Sequence, residues 1–282
     1  MSNVALFPNF AQVLNYFQDA MLRKSFEVHT EKWQGMDVSR RPEAKMREIL
    51  FQSFQVVLHG ESLELYAKDI KPNLPWADRH FEEERVSKEP INPGETWKIW
   101  PWGHSADKFR TEGEQYNHTY AERYWPKVAG VTPGGKTKNH TWIKEVERKG
   151  IRYPYGDLND VVDLLYREPH TRQAYLPVFF PEDTGAVHGG RIPCTIGYHF
   201  LLRGNVLHIA YQIRSCDLVR HLRDDIYLTV RLLLWVLQEL REREPRIWDQ
   251  VQPGMFTMHI SSLHVFINDW RAMGGQDAQL KS

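Results

Sequence analysis

Apolar residues near the start of the chain fall at Phe10, Val13, Leu14, Phe17, Met21 and Leu22, the spacing of one helix face, so residues 9–23 read as an amphipathic helix. The next stretch, SFEVHTEKW, is strand-like. From Arg40 to Gly60 the pattern predicts a second helix, with Pro42 near its start and Gly60 as its C-cap. Glu61 to Asp69 starts another helix. Pro72 to Pro101 is dense in Trp, Pro and charge, holds no lasting period and reads mostly as loop. Residues 107–125, DKFRTEGEQYNHTYAERYW, are polar and aromatic, a composition suited to lining a site. Lys127 to Asn139 carries a Pro-Gly-Gly turn and several lysines and reads as an exposed loop. Leu158, Val161, Val162 and Leu165 give Tyr155 to Tyr166 a helical face with Asp157 as a candidate N-cap, and Arg172 to Phe180 reads as a buried strand.

Arg191 to Asp225 is the stretch around which the rest is organised. Two alternating apolar runs separated by Gly204-Asn205 predict a β-hairpin. A helix from Ile226 to about Arg241 follows, apolar almost all round and therefore expected in the core. Asp224 and Asp225 suit the positive end of its dipole, Arg241 and Arg243 the negative end. A last apolar run spans Phe256 to Trp270, and the polar residues 273–282 read as a loose tail. There is no internal repeat and no break in composition, so residues 1–282 are expected to form a single domain.

Composition narrows the classes. With 36 basic and 36 acidic residues, no bulk positive field argues for direct nucleic-acid binding. The N-terminal residues lack a basic region followed by an unbroken apolar core, and Ile226 to Leu240 is interrupted by Arg231 and too short to span a bilayer, so a cytoplasmic protein without a membrane segment is the expectation. Two cysteines without CxxC spacing make neither a disulfide framework nor a zinc knuckle. Ten tryptophans fit large core residues or flat binding surfaces.

The hairpin also concentrates chemistry. Pro193-Cys194 opens it, Arg214-Ser215-Cys216-Asp217 ends it, and Asp225 stands at the mouth of the apolar helix. A thiol, an arginine-serine pair and two carboxylates at neighbouring strand ends point to a thiolate enzyme acting on an anionic substrate. Each residue also has a plainer role available: both cysteines as buried reduced thiols, and Asp225 as a helix N-cap. A zinc deaminase is ruled out. His29-Thr30-Glu31 fits H-x-E and Pro193-Cys194 begins PCxxC, but position 197 is Gly, and the other histidines show no metal spacing.

These residues resemble the thymidylate synthase family and, within it, the pyrimidine-nucleotide hydroxymethylases, closest to those acting on deoxycytidylate. The ordered motifs are Pro193-Cys194, the run Ile213-Arg214-Ser215-Cys216-Asp217, the segment PGMFTMHISSLHVFIND from Pro253, DLNDVVDLLYREPHTRQAYLPVFFPED from Asp157, and Pro75-Trp76-Ala77-Asp78. The resemblance covers roughly Arg40 to Asp269. It implies an α/β (α+β) fold with a large mixed β-sheet flanked by helices, paired sheet to sheet in a homodimer with shared active sites. It also implies folate-dependent hydroxymethylation of C5 of dCMP, with 5,10-methylenetetrahydrofolate as one-carbon donor. Cys194 would be the nucleophile at C6. Arg214 and Ser215 would hold the 5′-phosphate, and Arg172 would reach the phosphate in the other subunit's site. Asp217 would support the ring region, His264 would contact the sugar 3′-oxygen, Tyr120 would match a substrate-binding tyrosine of the family, and Trp76 would lie against the folate.

Asp225 stands where thymidylate synthases carry Asn, and within the family that change marks enzymes acting on cytidine nucleotides. An amide suits uracil, whose N3–H donates and O4 accepts. Cytosine reverses the pattern, and a carboxyl group accepts from N4 while a proton shared with N3 completes the pair. The related enzymes that take CMP differ at the positions of Arg172 and Ser215, so the resemblance implies the deoxynucleotide over CMP. Methylation of dCMP or dUMP, hydroxymethylation of CMP, and a nucleotide-binding relative without turnover stay as alternatives. Other positions depart from the family: Ser53 occupies the place matched to its catalytic glutamate, Gln173 that of a second arginine, Phe266 a tyrosine and Ser262 an aspartate. The polar C-terminus lacks the short apolar tail that closes the synthase site, which favours trapping by water over reduction.

Overall fold

The computed structural model describes residues 4–33, 36–89, 91–103, 110, 115, 116, 118–127, 156–184 and 192–276. The first half runs β1 (Ala5–Phe7), α1 (Phe10–Lys24), β2 (Phe26–Val28), β3 (Lys32–Trp33), β4 (Met36–Asp37), β5 (Met46–Val57), α2 (Leu63–Ile70), α3 (Trp76–Arg79), the π-helical turn His80–Arg85 and α4 (Tyr120–Tyr124). The second half runs α5 (Leu158–Arg167), β6 (Tyr175–Pro177), α6 (Pro181–Thr184), β7 (Thr195–Arg203), β8 (Val206–Asp217), α7 (Leu222–Arg243), α8 (Pro245–Trp248), β9 (Gln252–Phe266) and α9 (Ile267–Ala272).

Among the described residues the main sheet has seven strands, ordered β1-β5-β9-β8-β7-β6, with β2 paired to the near end of β5. It is mixed: β1–β5 and β8–β9 are parallel, β5–β9, β7–β8 and β6–β7 antiparallel. The β7–β8 hairpin turns at Gly204, whose φ of 57° is the left-handed conformation that glycine adopts without strain. α7 buries residues from almost every face, including Ile226, Leu228, Val230, Leu232, Leu233, Val236 and Leu237. α1 seals another part of the sheet, with Phe10 edge-on to Phe256 and Phe17 edge-on to Phe54. α5 starts with a capping box between Asp157 and Asp160.

The expected helix over 40–60 is a strand, and the cause is visible in the burial. Phe54 and Val56 are buried at one end of β5 and Ile49 at the other, so the alternation changes phase at Phe51, which has a φ of 51°. A phase change inside a period-two pattern produces the three-and-four spacings of a helix. The neighbouring strands change phase at the same level. On β9 the buried set passes from Phe256, Met258 and Ile260 to Leu263 and Val265, and on β8 from Ile209, Tyr211 and Ile213 to Cys216. The ladder pairs Leu50 with Ser262 and Gln52 with Ile260, stepping over Phe51, and pairs Ile213 with Ile260 and Ser215 with Ser262, stepping over Arg214.

Pro72–Pro101 holds more loop than helix, as expected, around α3, the π-helical turn and a 3₁₀ turn at Glu95–Lys98. Two further readings change. α7 starts a turn earlier than expected, at Leu222 with His221 in the N-cap position, so Asp225 lies inside the helix and does not cap it. The buried strand expected over 172–180 is short, Tyr175–Pro177. The Pro-Gly-Gly loop, most of 107–117 and the last residues of the tail lie outside the described residues.

Candidate active site

The interruption of β8 at Arg214 builds the centre of the site. The Arg214 N–H donates to the carbonyl of Cys194 at 2.9 Å. Its guanidinium donates from Nε to the Pro193 carbonyl at 2.8 Å and from Nη2 to the Ile192 carbonyl at 3.2 Å. The segment leading into β7 is thereby fixed from behind, and Arg214 Nη2 stands 3.9 Å from Cys194 Sγ. β7 approaches β6 so closely at Gly197 that a Cβ there would sit 2.5 Å from the Tyr175 hydroxyl and 2.6 Å from the Leu176 carbonyl oxygen. The glycine that removed the zinc motif is needed for packing.

Cys194 and Arg214 open onto a cavity of about 460 Å³. Of the site residues read from the sequence, Cys194, Asp225, Asp217, Arg214, Ser215, His264, Tyr120 and Trp76 all line it. Arg172 does not: it is exposed, just ahead of β6, and its carbonyl accepts from His199 Nε2 at 3.1 Å. Cys194 is half-buried, whereas the second thiol, Cys216, is buried, and burial pushes it well above its ordinary pKa.

Asp225 enters the cavity from the first turns of α7. Burial pushes its carboxyl up to about 7, with the Arg85 charge pulling the other way. Its Oδ2 faces the Cys216 thiol at 3.5 Å. Asp217 accepts from the N–H groups of Val219 and Arg220, both at 2.9 Å, and burial raises it to about 6. His264 Nδ1 lies 3.4 Å from Ser215 Oγ, and burial depresses the imidazole to about 4, so it is neutral over the working pH range. The Tyr120 hydroxyl accepts from Thr195 Oγ1 at 3.1 Å, and burial raises the phenol to about 12.

One wall is aromatic. Trp76 stacks on His80 at 4.7 Å between centroids and 13° between planes, while its indole N–H donates to the Thr96 carbonyl at 3.0 Å. Trp97 and Trp100 continue this surface, and Arg220 lies between the rings of Trp102 and Phe266 at 4.9 and 4.3 Å. Trp97 meets Trp100 at 86° and His80 at 76°, so the wall presents ring edges as well as faces. Arg220 also pairs with Asp269 at 2.8 Å.

Sequence reasoning missed His80, Arg85, Arg220 and the Trp97–Trp102 wall. The tryptophan density of ETWKIWPW was the available signal. Ser53, matched by position to a catalytic glutamate, does not line the cavity; it lies on β5 with its Oγ 2.8 Å from His259 Nδ1. Among the described residues, Glu48, Asp217, Asp224 and Asp225 are the carboxylates of the wall. Glu84 is buried nearby, accepting from the Thr96 N–H at 2.7 Å and facing His80 Nδ1 at 3.2 Å. Among the described residues no cluster of His, Cys, Asp and Glu is arranged to hold a metal, and no helix is long and apolar enough to cross a membrane.

The fold is that of thymidylate synthase. The structure superimposes on the thermostable thymidylate synthase A from Bacillus subtilis with a TM-score of 0.61, over 95% of this chain and 85% of that one, at 12% identity. The sequence matches no protein-family model and no curated protein.

Proposed function

We propose that this chain is a one-carbon transferase acting on a pyrimidine nucleoside monophosphate, and specifically a hydroxymethylase that converts dCMP to 5-hydroxymethyl-dCMP. The observation that carries this reading is that the half-buried Cys194 sulfur and the Asp225 carboxyl line one cavity, with Arg214 beside the sulfur. The likeness in fold to a thymidylate synthase supports the coarser reaction class.

In this reading the phosphate is held by Arg214, whose Nη1 makes no hydrogen bond to the described residues, together with the Ser215 hydroxyl. His264, neutral and next to Ser215, takes the sugar 3′-oxygen. The Cys194 thiolate adds to C6 of the ring. Asp225 accepts from N4 and gives its proton to N3, a role suited to a carboxyl poised near 7. Ring electron density then gathers at C5, the atom that takes the one-carbon unit. Asp217 supports the turn after β8, and Tyr120 closes the cavity beside Cys194.

5,10-Methylenetetrahydrofolate supplies the one-carbon unit when bound, and the Trp76–His80 stack with Trp97 and Trp100 fits its flat ring system. The exposed position of Arg172 fits a homodimer, joined sheet to sheet, in which this arginine serves the partner's phosphate. The whole chain acts as one domain, in the cytoplasm.

Incubation with [5-³H]dCMP, formaldehyde and tetrahydrofolate tests the reading. Tritium release reports attack at C5, and the product mass separates a hydroxymethyl from a methyl group. Binding of dCMP without tritium release would leave a nucleotide-binding protein instead.

A further inference from the structure

Arg85 ends the π-helical turn His80–Arg85, closed by the Val86 N–H bonding the Phe81 carbonyl at 3.1 Å. This widened turn sets His80 and Arg85, five residues apart, on the same cavity. Arg85 is only 5% exposed. Its Nη1 donates to the Tyr124 hydroxyl at 2.9 Å, and its guanidinium carbon lies 4.3 Å from the centre of the Tyr120 ring and 5.5 Å from that of Tyr124. Nε is sealed without an acceptor, and among the described residues no carboxylate comes within ion-pair reach. A buried guanidinium without a carboxylate partner is costly, and the two ring faces offset only part of that cost.

Asp225 shares this cavity. The groups that act on it are Arg85 from the π-helical turn, Tyr120 from α4, Tyr211 and Cys216 from β8, and Asp224 from its own helix. Arg85 is the one cation among these named groups. Both side chains line this cavity, and among the described residues no hydrogen bond or ion pair joins them, so a ligand that fills the cavity and expels water strengthens the attraction between the guanidinium and the carboxylate once that carboxylate forms.

Resting on the reading of Asp225 as proton donor to N3, we propose that Arg85 is a positioning residue that supplies the counter-charge to Asp225 as its proton leaves. In that step the sulfur lone pair forms the Sγ–C6 bond and the C5–C6 π pair moves to C4–C5. The C4–N3 π pair moves onto N3, and N3 takes the Asp225 proton. A carboxylate remains, and Arg85 stabilises it.

The test uses the full chain as Arg85→Gln and Arg85→Lys, with folding checked by circular dichroism. The Asp225 titration midpoint is read from its ¹³C carboxyl signal without substrate, and the pH profile of tritium release is read separately. Arg85→Gln is expected to raise the midpoint by about 1 pH unit or more, and Arg85→Lys by less than half as much. A higher midpoint keeps the donor protonated to higher pH, so the alkaline fall in activity moves up with it while the maximal rate drops about tenfold. An unmoved midpoint in the folded Gln variant overturns the proposal, as does a loss of rate without displacement of the alkaline limb. Arg85→Met replaces the Gln variant should that one not fold. The midpoint needs no turnover, so absent tritium release from the unaltered chain counts against the hydroxymethylase reading alone.

Discussion

Arg214 is tied to Cys194 from two directions: its N–H donates to the Cys194 carbonyl at 2.9 Å, and its Nη2 stands 3.9 Å from the sulfur. The guanidinium fork also spans the carbonyls of Ile192 and Pro193, which a single ammonium group does not do. Arg214→Lys is therefore expected to lower kcat/KM for dCMP by about 10² or more. Deoxycytidine, which lacks the phosphate, separates the two roles. A slower reaction of the variant with deoxycytidine supports positioning of the thiol, whereas equal rates would reduce Arg214 to a phosphate ligand.

Cys194→Ser removes the sulfur proposed to attack C6 while leaving the rest of the cavity in place. Tritium release from [5-³H]dCMP is expected to fall by about 10³ or more, with dCMP affinity kept within a few-fold. Residual release near the normal rate would mean that another group attacks C6.

Asp225→Asn exchanges a carboxyl for an amide that accepts from N3–H and donates to O4 of uracil. The ratio of kcat/KM for dCMP to that for dUMP is expected to fall by about 10² to 10⁴. Competition between the two nucleotides in one reaction measures the ratio directly. Retained preference for dCMP would remove Asp225 as the base-reading group.

What could be read from the sequence was what is decided locally. The Gly204-Asn205 hairpin, the capping residue Asp157 and the apolar α7 each state their structure within a few residues. β5 has the sequence pattern of a helix because Phe51 shifts the phase of its alternation, and that shift makes sense only beside the matching breaks on β8 and β9. Asp225 looked like a cap because the polar start of α7, His221 to Asp225, conceals its first turn. RHFEEER has the composition of a solvated helix face, yet Glu84 and Arg85 are buried by Thr96, Tyr120 and Tyr124, which are distant in the chain. The cavity could be reached through motifs on strand ends; the charges packed behind it could not.

Asp183 supports α4 and α6 together. Its two oxygens accept from Nη1 and Nη2 of Arg123, both at 2.9 Å, with both side chains fully buried, and Oδ2 also accepts from the Phe180 N–H at 2.8 Å. Asp183→Ala leaves the guanidinium without its carboxylate and is expected to cost about 3–5 kcal/mol in urea unfolding. A loss below about 1 kcal/mol would show that water replaces the carboxylate there.

Asp225 also makes stability depend on pH in a direction opposite to most acids. Its folded pKa, about 7, lies above the ordinary value of 3.8 because burial disfavours the carboxylate. Between these values the folded chain holds a proton that the unfolded chain has released. The contribution to stability is therefore complete below about 4 and is lost as pH rises through about 7. The depressed histidines His80, His208, His259 and His264 act in the opposite sense over an overlapping range, so the raw pH profile mixes both. Comparison with Asp225→Asn removes them, since Asn does not titrate and the histidines are common to both chains. The stability of the Asn variant relative to the unaltered chain is expected to rise by about 4 kcal/mol between pH 4 and pH 8. Urea midpoints at four or five pH values measure this difference. A flat difference across that range would mean that the folded chain does not hold Asp225 protonated near neutrality, and with it the proton for N3 would have to come from elsewhere.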